Sequence, residues 1–378
     1  MTVEENSFVG YYSKHEISPV NQDLSDIEKH FSRRDSLFRT LGLPPSLLSE
    51  KSILEFGPGS GHNAIHIASL KPSKYVLVEG NKTGFCETQE RLNRFDNLNF
   101  EIFNEDFTSF NTTEDFDVVW AEGCLPFQND PTSTLKHTAN FVKHGGILTI
   151  TTVDEISYYS ENIRRLLKYR FFPDIDEDIQ KACEELTPVY EKHLTHLQGM
   201  SRSIKDWIFD SILQSLRRPL PIPKSILTLK ADFDAFSSSP CFITDWRWYK
   251  EITGRNRKFN ENFIDQYYKN NLNLLDYRST IDPHHIDFGK KLEKICNESY
   301  EISLQIEMGK EDLWDDFFEC SSALGDHIKD QAPITYLSIR EAITMLRNGD
   351  LGMELKYFPP WWGRGQQYLS LIRKELKV

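Results

Sequence analysis

Short apolar runs bounded by glycine, proline or charged residues dominate the first part of the chain. Stretches with apolar residues three and four apart dominate the rest. Ile53-Leu54-Glu55-Phe56, Tyr75-Val76-Leu77-Val78, Asn99-Phe100-Glu101-Ile102-Phe103, Phe116-Asp117-Val118-Val119-Trp120-Ala121 and Ile147-Leu148-Thr149-Ile150-Thr151-Thr152-Val153 read as five strands, the last rich in β-branched residues. Before them, Asp23 through Leu41 carries helical spacing, and Gly42-Leu43-Pro44-Pro45 stops the helix. After about residue 155 long amphipathic helices take over, including Glu161–Tyr169, Asp176–His193 and Ile204–Leu216. Ser237 through Lys250 reads as a loop followed by a strand of alternating character, returning the chain to the sheet edge. Residues 258–347 are again mostly helical, and a last helix is expected over Gln366–Lys377.

The first strand breaks into Gly57-Pro58-Gly59-Ser60-Gly61, and helical sequence opens again at about His62. Glycines suit such a turn because the backbone must take φ values closed to other residues, and because a ligand can lie against main chain without a Cβ in the way. The free N–H groups of the following helix would point at that ligand. The second strand ends in Glu79, an acid placed to accept hydrogen bonds from ribose hydroxyls. The spacing is G-x-G-x-G and not G-x-G-x-x-G, and Glu55 precedes it. A carboxylate there repels a pyrophosphate and suits an amino group, so the ligand reads as a nucleoside with a cationic tail.

Glu55-Phe56-Gly57-Pro58-Gly59-Ser60-Gly61 resembles the first motif of the class I S-adenosylmethionine (SAM) dependent methyltransferases. The resemblance covers roughly residues 50 to 155. It implies an α/β fold with a doubly wound, mostly parallel seven-stranded-type sheet, a helical insertion and helical C-terminal additions. It implies SAM as cofactor, held by Glu55 to Gly61 with Asn63, by Glu79 and Gly80 on the ribose, by Asp106 on the adenine amino group with Phe107 beside the ring, and by Tyr12 of an N-terminal lid near the sulfonium. The segments implied are a helical lid over 1–50, a SAM-binding core over 51–155, an insertion over 156–235 capping the acceptor, a return to the sheet edge with a helix over 236–280, and a helical extension over 281–378.

Methyl transfer by in-line displacement needs an aligned lone pair, and a hydroxyl or ammonium acceptor also needs a base. Glu122, at the end of the fourth strand, is the first candidate, ahead of His62, His137 and His144. Cys124, Arg202, Trp207, Trp362 and Arg364 are candidates for contact with the acceptor. Each has a plainer reading: Trp207 as core behind a helix capped by Ser201 or Ser203, Trp361 and Trp362 as anchors for the last helix, and Cys124 as a packed thiol.

Composition narrows the acceptor. The net charge of −13 and the short, interrupted basic clusters speak against a nucleic-acid groove and for a small molecule methylated at oxygen or nitrogen. Transfer to protein or RNA, SAM binding without transfer, and a nicotinamide-dependent enzyme are the alternatives. Six cysteines without a C-x-x-C pair suggest neither zinc nor a disulfide framework. The acidic stretch Glu311–Asp316 and His284-His285 are not read as metal sites. No membrane span or signal peptide is legible, so a cytoplasmic enzyme without a membrane partner is expected, with assembly into a homo-oligomer left open.

Overall fold

The computed structural model describes residues 10, 24–126, 128–175, 178–197, 199, 202–214 and 218–375. The chain divides into two compact units. One comprises 1–153, 216–267 and 366–378; the other comprises 154–215 and 268–365.

The first unit is built on a seven-stranded sheet. Strands β1 (Ser52–Phe56), β2 (Lys74–Val78), β3 (Phe100–Phe103), β4 (Phe116–Ala121), β5 (Val142–Thr152), β6 (Phe233–Ser239) and β7 (Gln367–Arg373) lie in the order β3-β2-β1-β4-β5-β7-β6. All neighbours are parallel except β7, which runs antiparallel to both β5 and β6. This is the doubly wound, mostly parallel sheet that the motifs imply. Its order reverses at β1 and β4, and a ligand crevice opens outside the carboxyl ends of the strands at such a point.

Helices α1 (Ile27–Thr40), α2 (Ala64–Ser69) and α3 (Lys82–Leu92) precede β1, β2 and β3. Phe38, Ala64, Ile67 and Ala68 pack with Ile53, Tyr75, Leu77, Val118 and Trp120 in one apolar cluster. Asp26 caps α1 through Lys29 N at 2.9 Å, the local reason that the helix starts there. Helices α4 (Pro131–Ala139) and α8 (Ile222–Leu229) also belong to this unit. Helix α9 (Phe259–Asn270) begins in it.

Two expectations change here. Gln366–Lys377 is not a helix: Gln367–Arg373 pairs with both β5 and β6. Ladder partners on both sides outweigh the high helix propensity of Leu369, Leu371 and Arg373. The strand that returns to the sheet edge is Phe233–Ser239, which takes in the serine run and ends with it. Residues after Ser239 form loops and short 3₁₀ turns up to α9.

The second unit is helical among its described residues: α5 (Tyr159–Phe171), α6 (Ile179–Leu194), α7 (Ile204–Ile208), α10 (Ile286–Glu307), α11 (Trp314–Ile328) and α12 (Pro333–Asn348). A π-turn over Phe209–Leu213 ends the stretch expected as one helix to Leu216. Polar pairs fix the helix packing. The Tyr159 hydroxyl sits 3.0 Å from Ser299 Oγ and 2.8 Å from Ser321 Oγ, and Arg165 is bidentate to Glu307 at 2.9 and 2.6 Å. Gly349, left-handed at φ 64°, closes α12 as helix C-termini commonly do.

Candidate active site

The glycine turn leaves β1 with all three glycines in the left-handed region, at φ 70°, 59° and 79°. Gly57 shows why: a Cβ there would lie 2.7 Å from the Cys124 Cβ and 3.2 Å from the Phe107 ring. Gly61 is equally confined, because its Cβ would meet the Thr88 backbone at 2.9 Å. Helix α3 holds the turn from the other side. Thr88 Oγ1 donates to the Gly59 carbonyl at 2.8 Å, and Arg91 donates to the Ser60 carbonyl at 2.7 Å. The helix after the turn is short and starts at Ala64, two residues later than expected.

Glu79 stands one residue beyond β2 and is 4% exposed. Its Oε2 accepts from Gly59 N and its Oε1 from Asn81 N, each at 2.8 Å. The carboxylate therefore touches the glycine turn and braces it. Burial pushes its pKa up to about 7, against those two N–H donors. Asn104 donates to the Glu79 carbonyl at 2.8 Å, tying the end of β3 to the same corner beside Gly80. Asp106 is exposed and caps its own turn by accepting from Thr108 N at 2.8 Å. Phe107 is buried edge-to-face on Phe56 at 5.8 Å and reaches Gly57, so the aromatic side chain and the first glycine meet. Tyr12 lies outside the described residues.

Glu55 is inside β1 and not in the turn, facing Tyr75, whose hydroxyl donates to it. Burial raises its pKa to about 7, and the nearby Glu122 charge adds to this. A direct role on the cofactor's amino group does not follow from this placement, since the carboxylate already has a buried donor.

Glu122 is the centre of a part-buried network. Arg34 on α1 donates to both of its oxygens at 2.7 Å, the Tyr368 hydroxyl donates at 2.7 Å, Trp120 Nε1 at 3.0 Å and Asn63 Nδ2 at 3.2 Å. Burial alone would raise its pKa. Arg34, Tyr368 and Trp120 outweigh burial and hold it below the usual carboxylate range. A general base needs an available lone pair and a pKa near the working pH. Glu122 has neither, so its reading as a base gives way to a charge clamp that fixes α1 on the end of β4. The clamp is reinforced along α1, where His30 Nε2 lies 2.9 Å from the His62 carbonyl and His66 Nε2 pairs with Asp35 at 2.9 Å.

The other proton-acceptor candidates are also engaged. His62 contacts Ser60 Oγ and Arg91, His137 Nε2 binds the Phe110 carbonyl, and His144 Nδ1 binds the Lys374 carbonyl. Cys124 is buried with Sγ 3.4 Å from the Phe56 carbonyl, and its thiol is raised well above its ordinary pKa by burial, so it serves as packing against Gly57.

The remaining acceptor candidates fall in the helical unit and are committed there. Trp207 and Trp362 are 3% and 1% exposed and meet edge-to-face at 5.6 Å. The Arg164 guanidinium lies 3.7 Å from the Trp362 ring centroid. Arg202 pairs with Asp210, and Arg364 donates to the Asn273 and Ser279 carbonyls at 2.7 and 3.0 Å. Within that unit these side chains pack and brace their neighbours.

Arg34, Tyr75 and Tyr368 were not singled out from sequence. Arg34 carried a signal: it falls four residues from His30 and from Phe38 on the buried stripe of α1, where an arginine requires a partner.

What the sheet order, the glycine turn and Glu79 define together is a class I methyltransferase scaffold. Residues 30–198 match the model of a methyltransferase domain family. The chain thus carries a methyltransferase domain over these residues. Among solved structures it is similar to the N-methyltransferase NodS from Bradyrhizobium japonicum WM9 in complex with S-adenosyl-L-homocysteine, at 13% identity, 60% of this chain, 88% of that chain and a TM-score of 0.36. It is also similar to the [4+2]-cyclase SpnF, at 12% identity, 94% and 85% coverage and 0.39, and to PKMT2 from Rickettsia typhi, at 15%, 54% and 42%, and 0.41. No curated protein matches the chain.

Proposed function

We propose that the chain transfers a methyl group from SAM to a small-molecule acceptor, at nitrogen or oxygen, by in-line displacement. The observation that carries the reading is the buried Glu79 carboxylate, 2.8 Å from the Gly59 amide at the turn. The residues fit the cofactor: glycine at 57 and 61 lets the turn pack closely against Cys124, Phe107 and Thr88, and Glu79 supplies the acceptor for ribose hydroxyls. Asp106 and Phe107 stand for the adenine, and Asn63 with the Arg34–Glu122 clamp forms the floor beyond the turn. When bound, SAM supplies a methyl group made electrophilic by its sulfonium. The chain's own service is alignment, worth several orders of magnitude in rate. With Glu122 committed to Arg34, an acceptor that arrives with a free lone pair, such as a neutral amine, suits this edge better than an alcohol.

The net charge of −13 supports a small acceptor over RNA. The test has two parts. Calorimetric titration with SAM, S-adenosylhomocysteine and NAD should show the first two binding and not the third. Incubation of a cell extract with methyl-labelled SAM should place label in the small-molecule fraction. Label in protein or RNA would replace the acceptor reading, and binding without label in any fraction would leave a SAM-binding protein.

A further inference from the structure

We propose that the segment from Cys241 to Lys258 is an interfacial anchor that seats this protein peripherally on an anionic lipid bilayer. Three large aromatic side chains in this segment face water: Trp246 is 92% exposed, Tyr249 67% and Trp248 58%. Side chains of this size usually find cover. Their exposure is built in, because the loop is braced. Arg247 binds Asp245 at 2.8 and 3.0 Å and reaches the Asn256 and Arg257 carbonyls at 2.8 and 2.7 Å. Phe242 packs on Phe263 and Tyr267 at 5.7 and 6.0 Å, anchoring the start of the loop to α9. The tryptophans are held outward on a fixed frame.

Charge selects the occupant. The chain carries −13 overall, yet this segment holds five basic side chains against two acidic ones. Arg247 and Arg257 pair with Asp245 and Asp234. Lys250, Arg255 and Lys258 are exposed with no carboxylate partner among the described residues, and Lys250 lies 5.8 Å from the Trp248 ring and 5.9 Å from that of Tyr249. Tryptophan and tyrosine with flanking lysine and arginine is the composition that settles at a headgroup layer: rings at the acyl boundary, cations among phosphates. A nucleic acid fits less well. Its affinity rests mainly on phosphate neutralisation, which an acidic chain opposes, whereas ring partition does not depend on net charge. No helix among the described residues is long and apolar enough to cross a membrane. The loop follows β6, which is parallel to β5, and leaves the same sheet edge as the glycine turn, about 19 Å along it at about 4.8 Å per strand. A bilayer met by the loop would lie toward the edge where methyl transfer occurs.

The test is co-sedimentation of the full chain, without cofactor, with phosphatidylcholine vesicles and with phosphatidylcholine vesicles containing phosphatidylglycerol, alongside tryptophan emission. The chain should sediment about tenfold more strongly with the anionic vesicles, with emission shifted to the blue and binding weakened by salt. The variant Trp246→Ser/Trp248→Ser/Tyr249→Ser should lose sedimentation, and Lys250→Gln/Arg255→Gln/Lys258→Gln should lose the preference for anionic vesicles. Both sets are exposed, so melting and SAM binding should stay as in the parent. The proposal is overturned if the chain stays in the supernatant with both vesicles, or if the aromatic variant sediments like the parent. It is equally overturned if a single-stranded oligonucleotide binds and vesicles do not, or if light scattering shows that the aromatic residues hold copies of the chain together.

Discussion

Gly84 tests the link between helix packing and the cofactor turn. It lies in the first turn of α3, and a Cβ built there falls 2.6 Å from the Gly59 carbonyl oxygen, 3.1 Å from its carbon and 3.4 Å from the Glu79 carboxyl carbon. Two of the three are backbone, so no flexible side chain can yield. Restoring an ordinary carbon–oxygen contact requires the turn or the helix to move by about 0.7 Å. In Gly84→Ala such overpacking costs about 1–3 kcal/mol, and the better helix propensity of alanine returns about 0.5–1 kcal/mol. Stability should therefore fall by at most about 2.5 kcal/mol, a few degrees in Tm. Function should suffer more, because a misplacement of about 1 Å can cost about a hundredfold. Gly84→Ala should lose at least about tenfold in SAM affinity by calorimetry. Gly254→Ala is the control: it has φ 52° and nothing within 4 Å of its Cβ, so it carries backbone strain of about 1–2 kcal/mol without touching the turn. Its Tm should drop while SAM binding is kept. Full SAM affinity in Gly84→Ala would refute the claim that α3 sets the position of the turn.

Between about pH 4.5 and 7 the folded Glu79 holds a proton that the unfolded chain has released, so its contribution makes stability fall as pH rises through that window and level off above it. SAM affinity should run the opposite way, rising by up to about tenfold per pH unit and flattening near 7, with the slope reduced in Glu79→Gln; calorimetry across the window decides this. Arg34→Met leaves Glu122 buried without its counter-charge and should lower stability by about 3–5 kcal/mol, most of it recovered in Arg34→Met/Glu122→Gln, both read by denaturant melts. Trp362→Ala empties a site 1% exposed beneath Arg164 and should cost about 3–5 kcal/mol while SAM affinity stays unchanged. A fully stable Trp362→Ala with a raised acceptor KM would return that side chain to the acceptor site.

The parts of the fold legible in the chain were those with local causes. The five core strands announce themselves by apolar runs, and the turn by glycines that alone fit beside Cys124 and Thr88. Glu79 was legible because the end of a strand fixes where a side chain stands. What escaped depended on partners distant in sequence. Gln367–Arg373 becomes a strand because β5 and β6 offer ladders on both sides, and nothing within the segment states this. Glu122 stood where a base would stand, but its chemistry is set by Arg34, 88 residues earlier, and by Tyr368, 246 residues later. Trp207 and Trp362 have the composition of a binding surface and the burial of a core, and composition cannot separate the two.

The charges at this edge explain the choice of ligand better than the glycine spacing alone. Glu55 and Glu79 are buried and Glu122 is partly buried, and a single guanidinium, that of Arg34, is paired among them. Only Glu122 is neutralised. Burial leaves the other two near 7, and the Glu79 and Glu122 charges both bear on Glu55. Each deprotonation therefore adds uncompensated negative potential in a poorly screened place, where charge interactions are several times stronger than in water. A dinucleotide would bring the negative charge of its pyrophosphate to that edge. On the proposed reading, a nucleoside with a sulfonium and an ammonium brings positive charge toward that potential and ribose hydroxyls to Glu79. The same burial that makes the free site costly thus becomes discrimination in favour of a cationic cofactor, and Arg34 limits the excess by holding Glu122 out of it.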